Sequence, residues 1–236
     1  MNDDRAAALE RLHQTVDACR RCAIGSTRTK VVCGVGDPHS PLVIVGEGPG
    51  ENEDRQGEPF VGRAGELLTR MLAAIGLRRE DVFITNTIKC RATTEENGRV
   101  FNRAPMQEEM ANCREYLDIE LSVLKPRVVL ALGAPAAKSF QGAGFSITRQ
   151  RGVWYPGPLG SDLIVTFHPA YILRLTGGNI NAVKKLVWSD LQAVQRRLAG
   201  EDETAEAGLK SGIPQEPELP DQAASEEQAL ELKFDL

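Results

Sequence analysis

Four short apolar runs, each next to a helical pattern, constrain the fold of this 236-residue chain more than any other feature. The runs are LVIVGE (42–47), VFITNTIKC (82–90), RVVLALG (127–133) and LIVTFHP (163–169). Runs that are apolar on both faces are typical of parallel strands that are covered on both sides. Strands that alternate with helices favour an open sheet between helical layers. We therefore predict a three-layer α/β/α fold with a central four-stranded parallel sheet.

Helical spacing of apolar residues predicts the elements between and around these strands. The predicted helices span residues 4–18, 63–75, 105–124, 134–142 and 179–198. The polar segment ATTEENGRVFNRA (92–104) is expected to be a loop. In open parallel sheets the ligand binds beyond the carboxyl ends of the strands, which is where Glu47, Asn86 and His168 fall. Topology is thus expected to bring together three polar residues that are far apart in sequence.

The charge of the chain is unevenly distributed. Residues 201–236 contain eleven Asp or Glu and two Lys, a net charge of −9, so a total of −5 leaves +4 on the remainder. That mild excess permits nucleic-acid binding without requiring it, since an ordinary solvated surface has a similar balance. The acidic, poorly periodic end predicts a disordered tail. We expect one α/β domain over residues 1–200 and an acidic tail over residues 201–236.

Cysteine usage points to a reduced environment and a metal site. No apolar run reaches the roughly 18 residues of a membrane span, and the N-terminus has no signal pattern, so a cytoplasmic protein is expected. Cys19 and Cys22 form a C-x-x-C, while Cys90 and Cys113 lie on later elements and Cys33 is left over. Four thiolates of this kind can hold structural zinc or an iron–sulfur cluster. Spacing alone favours zinc and leaves both open.

The segment between the first apolar run and the next helix reads GEGPGENEDRQGEPFVGRAG (46–65). Its glycines let the backbone approach a ligand, and its acidic residues place carboxylates beside that ligand. A nucleotide-phosphate loop is one interpretation, but the segment has neither the Lys-Ser/Thr of a P-loop nor a complete G-x-G-x-x-G. The order of strand, glycine-rich turn and helix predicts a ligand site.

Several motifs together resemble one family. The glycine-rich segment, the ITNTIKC that contains Asn86, the dispersed cysteines and the HPAY at His168 closely resemble the family 4 uracil-DNA glycosylases. The match covers roughly residues 15–195, with the motifs in the expected order. It implies a monomeric enzyme that flips uracil out of DNA and hydrolyses the N-glycosidic bond, leaving an abasic site for base excision repair. A uracil-DNA binding or trapping module with little turnover is the alternative.

The same resemblance implies a cofactor and its ligands. Family 4 enzymes contain a [4Fe–4S] cluster at positions that correspond to Cys19, Cys22, Cys90 and Cys113. Cys33 lies where the family needs no ligand, and we expect it to be a small buried hydrophobe. The cluster is expected to be structural.

Three residues correspond to the family's base-recognition groups. Phe60 resembles the aromatic that stacks on uracil, although a Phe of this kind is also common in protein cores. The Asn86 amide can donate to uracil O4 and accept from N3–H, a pairing that cytosine cannot satisfy. His168 resembles the histidine that stabilises negative charge on uracil O2, although a lone His is more often structural.

The carboxylates are assigned less directly. A better-known branch of the superfamily has a water-activating Asp where this chain has Gly48, whose N–H could still bond the base. Glu47 and Asp54 are the remaining candidates to orient water or to stabilise the cationic sugar. Gly50 replaces a bulky residue that excludes the thymine methyl group elsewhere, and the resemblance makes Glu53 its substitute.

Two segments depart from the family pattern. The loop Ala92–Phe101 is longer than usual, as in an atypical branch that traps uracil-DNA through a loop histidine. This loop has no His, and Asn102 stands nearest that position, which favours ordinary turnover. The acidic tail ends in ELKFDL (Glu231–Leu236), similar to segments that dock on the replication sliding clamp, although folding back on the protein's own last helix, or no role, is at least as consistent with so short a pattern.

Overall fold

A six-stranded sheet runs through the centre of the protein in the computed structural model, which describes residues 4–176 and 179–201. The strands in chain order are β1 (Val35–Gly36), β2 (Leu42–Gly46), β3 (Phe83–Asn86), β4 (Thr93–Glu96), β5 (Arg99–Asn102), β6 (Val128–Leu132), β7 (Trp154–Pro156) and β8 (Asp162–Thr166). The main sheet has the order β1-β3-β2-β6-β8-β7, and β4 and β5 form a separate two-stranded sheet.

Nine α-helices are assigned within the described residues. They are α1 (Arg5–Asp17), α2 (Ile24–Thr27), α3 (Glu51–Gln56), α4 (Arg63–Ala74), α5 (Gln107–Leu124), α6 (Gly133–Gln141), α7 (Ile147–Gln150), α8 (Pro169–Ile172) and α9 (Asn179–Ala199). Short 3₁₀ turns cover Arg79–Asp81 and Pro158–Gly160. In the described part of the chain, no helix has both the length and the apolarity that crossing a membrane would require.

Helices cover both faces of the sheet, and the inner strands are therefore buried on both sides. Ile44 and Leu130 pack in one hydrophobic cluster with residues of α4 and α9. Val43 and Val129, their neighbours along the strands, pack in a second cluster with residues of α5 and α6. This alternation follows from the period of two along a strand. The observed architecture is therefore a largely parallel sheet that is flanked by helices.

The predicted four-stranded parallel sheet is correct for the inner strands and incomplete at the edges. β3, β2, β6 and β8 are mutually parallel, whereas β1 and β7 pair antiparallel with β3 and β8. β1 has two residues and β7 has three, which is too short to leave a periodic signal in the sequence. β2 precedes both neighbours in the chain, so the crossover direction reverses between β2 and β6. Such a switch point opens a crevice at the carboxyl ends of the strands.

Two local predictions are wrong. The strand expected to reach Cys90 ends at Asn86, and the following N–H groups donate to the carbonyl oxygens of Gly46 and Glu47 instead. The expected polar loop over residues 92–104 contains the hairpin β4–β5. Asn97 and Gly98 close this hairpin with φ angles of +52° and +74°, the conformation of a type I′ turn. Most of the acidic tail and all of Glu231–Leu236 lie outside the described residues, so the domain boundary and the clamp segment stay predictions.

Candidate active site

A cavity of about 840 Å³ lies beyond the carboxyl ends of the parallel strands. Its lining includes most of the site residues predicted from the sequence, namely Glu47, Gly48, Glu53, Phe60, Asn86 and His168. The first residues of α6, which begins directly after β6, complete the crevice with Gly133, Ala134 and Pro135. The cavity therefore lies at the switch point of the sheet, where the topology predicts a ligand site.

Asn86 forms part of the floor of this cavity. It is the last residue of β3, pairs with Gly46 of β2, and is only 2% exposed. A Cβ atom on Gly46 would lie 2.4 Å from Asn86 Oδ1 and 2.6 Å from the Phe60 ring. Glycine at position 46 thus provides the space in which both side chains are packed.

Phe60 is held in an uncommon backbone conformation. Its φ angle is +55°, in the left-handed region, which costs a non-glycine residue about 1–3 kcal/mol. A Cβ on Gly65 would lie 1.8 Å from the Phe60 carbonyl oxygen, so the first turn of α4 can pack there only with glycine. The Phe60 ring stacks on His168 with centroids 5.5 Å apart and an angle of 23° between the planes. The stacked pair places an aromatic and an imidazole side by side on the cavity lining.

The burial of His168 and its hydrogen bond determine its charge and its tautomer. His168 caps the N-terminus of α8, where its Nδ1 accepts from the Ala170 backbone N–H at 3.0 Å. Burial, with a smaller effect of Arg174, lowers the pKa of His168 to about 4. The ring is therefore neutral near pH 7, and its proton lies on Nε2. A neutral imidazole of this kind can donate one hydrogen bond from Nε2.

Glu47 follows β2 directly and presents a carboxyl group to the cavity. Burial raises its pKa above the ordinary value, and the positive charge of Arg174 partly offsets this rise. Arg174 also lines the cavity and was not predicted from the sequence, although it stands only six residues after His168. Glu47 and His168 thus both lie near the positive charge of Arg174.

Glu53 and Asp54, two adjacent acidic residues of α3, have different surroundings. Glu53 lines the cavity, and its Oε1 accepts from the N–H groups of Val61 and Gly62 at 3.0 and 3.1 Å. Asp54 is buried away from the cavity lining and accepts from the Thr29 N–H at 2.9 Å. The structure brings Glu53 to the cavity and does not bring Asp54 there.

Gly48 can present only its backbone. A Cβ at this position would lie 2.6 Å from Ile88 Cγ1, so the fold leaves no room for a side chain. A carboxylate at position 48 would require Ile88 to move.

The hairpin β4–β5 and the residues after it form one wall of the cavity. Asn102 and Arg103 line the cavity, and Asn102 Oδ1 accepts from Arg91 Nε at 2.6 Å. Val100 and Phe101, in the same strand, are 54% and 46% exposed. The Asn97-Gly98 pair is a typical hairpin turn, so this wall could have been predicted from the sequence.

The four predicted cluster ligands lie together in a second location. Cys19, Cys22, Cys90 and Cys113 all line one small cavity between α1, α2 and α5. As placed, no three His, Cys, Asp or Glu side chains among the described residues form a group that could hold a single metal ion. A cubane cluster makes a different demand, because each of its irons takes one thiolate and the sulfurs stand farther apart.

Polar contacts around these sulfurs suit thiolate ligands. Arg28 Nη1 donates to Cys90 Sγ at 3.1 Å, and the Lys89 backbone N–H donates to Cys113 Sγ at 3.3 Å. Burial raises the pKa of Cys113 to about 11, so its thiolate requires a nearby cation or metal. Cys33 is buried in a neighbouring apolar cluster and does not line this cavity. The donor set fits a four-thiolate cluster.

Sequence comparisons identify relatives of this chain. Residues 33–192 match the family model of the uracil DNA glycosylase superfamily. A type-4 uracil-DNA glycosylase of Thermotoga maritima is 41% identical over 189 residues, which is 80% of this chain and 93% of the relative. Type-4 uracil-DNA glycosylases of Archaeoglobus fulgidus and Sulfurisphaera tokodaii are 41% and 40% identical over 70% of this chain, and over 83% and 76% of their own lengths.

Proposed function

Since the chain belongs to the uracil DNA glycosylase superfamily, we propose that it excises uracil from DNA as a type-4 enzyme of base excision repair. The N1–C1′ bond breaks, water adds to C1′ and loses a proton, and the uracil that leaves as an anion takes up one proton. One observation supports this activity above the others. Asn86, His168 and Phe60 come from distant parts of the chain and line one cavity.

We assign base recognition to Asn86. Its Nδ2 donates to uracil O4 and its Oδ1 accepts from N3–H, whereas cytosine presents a donor at N4 and no hydrogen at N3. Because Asn86 is buried, a mismatched base leaves its amide groups unpaired, at a cost of about 1–3 kcal/mol each. The Phe60 ring stacks on the base.

His168 stabilises the departing uracil. Its Nε2–H donates to O2, where negative charge develops as the glycosidic bond breaks, and the Gly48 N–H adds a second donor to the base. The neutral ring suits this task, because the bond to Nδ1 from Ala170 fixes the proton on Nε2 before the reaction begins. The donor therefore needs no proton transfer during the chemical step.

Among the carboxylates, Glu47 is assigned the role of orienting water or stabilising the cationic sugar. It stands at the cavity, whereas the Asp54 carboxylate is bonded to Thr29. Glu53 has a different task. A Cβ on Gly50 would lie 2.7 Å from Glu53 Oε2, so this carboxylate fills the space beside Gly50 where a bulky side chain would exclude the thymine methyl group.

A [4Fe–4S] cluster is proposed as the structural cofactor, with Cys19, Cys22, Cys90 and Cys113 as its ligands. Its four thiolate bonds would connect the segment between α1 and α2, the segment after β3, and α5. Protein purified without oxygen should be brown, and replacing any of the four ligands by Ser should remove the visible absorbance. Cys33→Ser is the matched control and should leave the absorbance unchanged. Colourless protein with stoichiometric zinc would refute the cluster.

Ordinary turnover is proposed over covalent trapping. All three histidines lie in the described part of the chain, and His168 alone lines the cavity. Asn102 occupies the hairpin wall, and a carboxamide is a poor nucleophile.

The activity is tested with single-stranded DNA that contains uracil. We expect alkali-labile abasic sites to accumulate over several turnovers per protein molecule. Retention of one DNA per protein without strand cleavage after alkali would instead indicate a binding or trapping module.

A further inference from the structure

The side chain of Lys89 is fully buried next to Asn86, the proposed base-recognition residue. Its exposure is 0%, and its ammonium group donates to Glu120 Oε2 at 2.6 Å, to Thr85 Oγ1 at 2.6 Å and to the Asn86 carbonyl oxygen at 2.9 Å. An ammonium group has three donors, so these three acceptors satisfy it completely. The lysine thus binds the backbone of the residue that reads the base.

The partner carboxylate links this lysine to other elements. Glu120 is 1% exposed and lies on α5, two turns after Cys113. Its Oε1 accepts from the Gly34 N–H at 3.2 Å, and its Oε2 accepts from the Thr85 hydroxyl at 2.8 Å. The ion pair therefore joins β3 to the helix that contains a proposed cluster ligand.

Lys89 also contacts the cysteine site through its backbone. Its N–H donates to Cys113 Sγ, and Cys90 is the next residue in the chain. One residue consequently touches both the recognition strand and two of the four cysteines.

Stability alone does not account for a buried ion pair at this place. Removing two charges from water costs about as much as their attraction returns, and well-packed apolar residues often serve equally well. What the apolar alternative cannot supply is a donor for the buried Asn86 carbonyl. That bond fixes the peptide from which the Asn86 side chain projects.

We propose that Lys89 is a positioning residue for base recognition, which holds Asn86 in register with the uracil edge and links it to the cysteine site. This inference rests on the proposed excision of uracil. A side chain misplaced by about 1 Å can slow a reaction on the order of 100-fold, which sets the scale of the expected effect.

The test separates positioning from stability with the double variant Lys89→Met/Glu120→Leu. Removing both charges together avoids an unpaired buried charge, so the protein should fold and keep its visible absorbance, and its melting temperature should fall only through the hydrogen bonds lost at Gly34, Thr85 and Asn86. The single-turnover rate of uracil excision should nevertheless fall by about 10- to 100-fold, because the Asn86 carbonyl loses its donor. Binding to abasic DNA, which has no base to recognise, should be unchanged, whereas binding to DNA containing 2′-fluorodeoxyuridine should weaken.

Arg197→Met is the matched control. It removes a partly buried ion pair with Asp162, at the opposite end of the sheet, and should affect stability without changing the preference for uracil over abasic DNA. If the double variant does not fold, Lys89→Gln/Glu120→Gln takes its place, because it also removes both charges but keeps an acceptor for the Gly34 N–H, and glutamine is one atom shorter than the lysine that reaches Asn86.

Two results would overturn the proposal. Excision and uracil binding at parental levels would show that Asn86 needs no help from Lys89. An equal loss of uracil and abasic binding would show a general disruption rather than positioning. Failure of the parent to excise uracil would refute the proposed function instead, and the binding comparison would still test Lys89.

Discussion

The floor and the hairpin wall of the cavity are built in opposite ways. The floor consists of strand ends that are fixed by the sheet ladder, and Asn86, the proposed recognition residue, is 2% exposed. The wall is a two-stranded hairpin outside the main sheet, and its Phe101 is 46% exposed. A base edge must be met by polar groups held to within a fraction of an ångström, which a packed sheet provides. A flexible polymer passing over the surface makes no such demand, so exposed residues on a small hairpin suffice.

This difference predicts that substitutions in the floor slow the chemistry and that substitutions in the wall weaken DNA binding.

The largest effect is expected for His168→Ala. Loss of one preorganised donor to a developing anion typically slows a reaction by about 100- to 1,000-fold. Single-turnover excision of uracil measures it, and DNA affinity should be nearly unchanged. A rate within twofold of the parent would remove His168 from the proposed mechanism.

The second prediction concerns Glu47 and pH. If its ionised form orients water, the rate should fall with decreasing pH through an apparent pKa above the ordinary value for glutamate, since burial raises the pKa of this group. Glu47→Gln should lower the rate by about 100-fold and abolish the acidic limb. His168 adds no limb between about pH 5 and pH 8, because its pKa is near 4. Single-turnover rates over that range measure both, and a persistent limb in Glu47→Gln would assign it to another group.

Asn86→Asp is expected to have the third-largest effect. A carboxylate offers only acceptors to uracil O4, itself an acceptor, so the rate should drop by roughly 10- to 100-fold while the fold is kept. Asn102→Asp, in the wall, is the matched control and should act only weakly, because a carboxylate can still accept from Arg91. Equal losses in the two variants would contradict the distinction between floor and wall.

The smallest effect should come from the wall itself. Val100→Ser/Phe101→Ser removes exposed apolar surface, so the free energy of unfolding should change by less than about 0.5 kcal/mol. Affinity for single-stranded DNA should fall by about 1 kcal/mol, near fivefold, if these side chains contact unpaired bases. Fluorescence anisotropy measures the affinity. Ile119→Ser, on the exposed side of α5, should leave it unchanged.

Sequence reasoning succeeded where burial left a clear apolar run in the sequence. The inner strands are apolar on both faces, so their existence was predictable, as were the positions of Asn86 at the end of β3 and of His168 two residues after β8. β1 and β7 were not, because two or three residues show no period.

The failures at the site have physical causes as well. Glu53 and Asp54 are adjacent, but α3 turns them to different surroundings, and a six-residue helix among acidic residues has no clear pattern. The pair of Lys89 and Glu120 could not be foreseen, since 31 residues separate two charges that an average chain would expose.

Gly46 has a consequence for how this protein can change over time. A single methyl group there would collide with both Asn86 and Phe60, so a substitution at position 46 would displace both side chains at once. Glycine at position 46 should therefore be retained for as long as the proposed recognition amide and stacking ring are both in use. The hairpin is free of that constraint, and the mutational routes toward a new range of damaged bases or DNA contexts should begin in its loop.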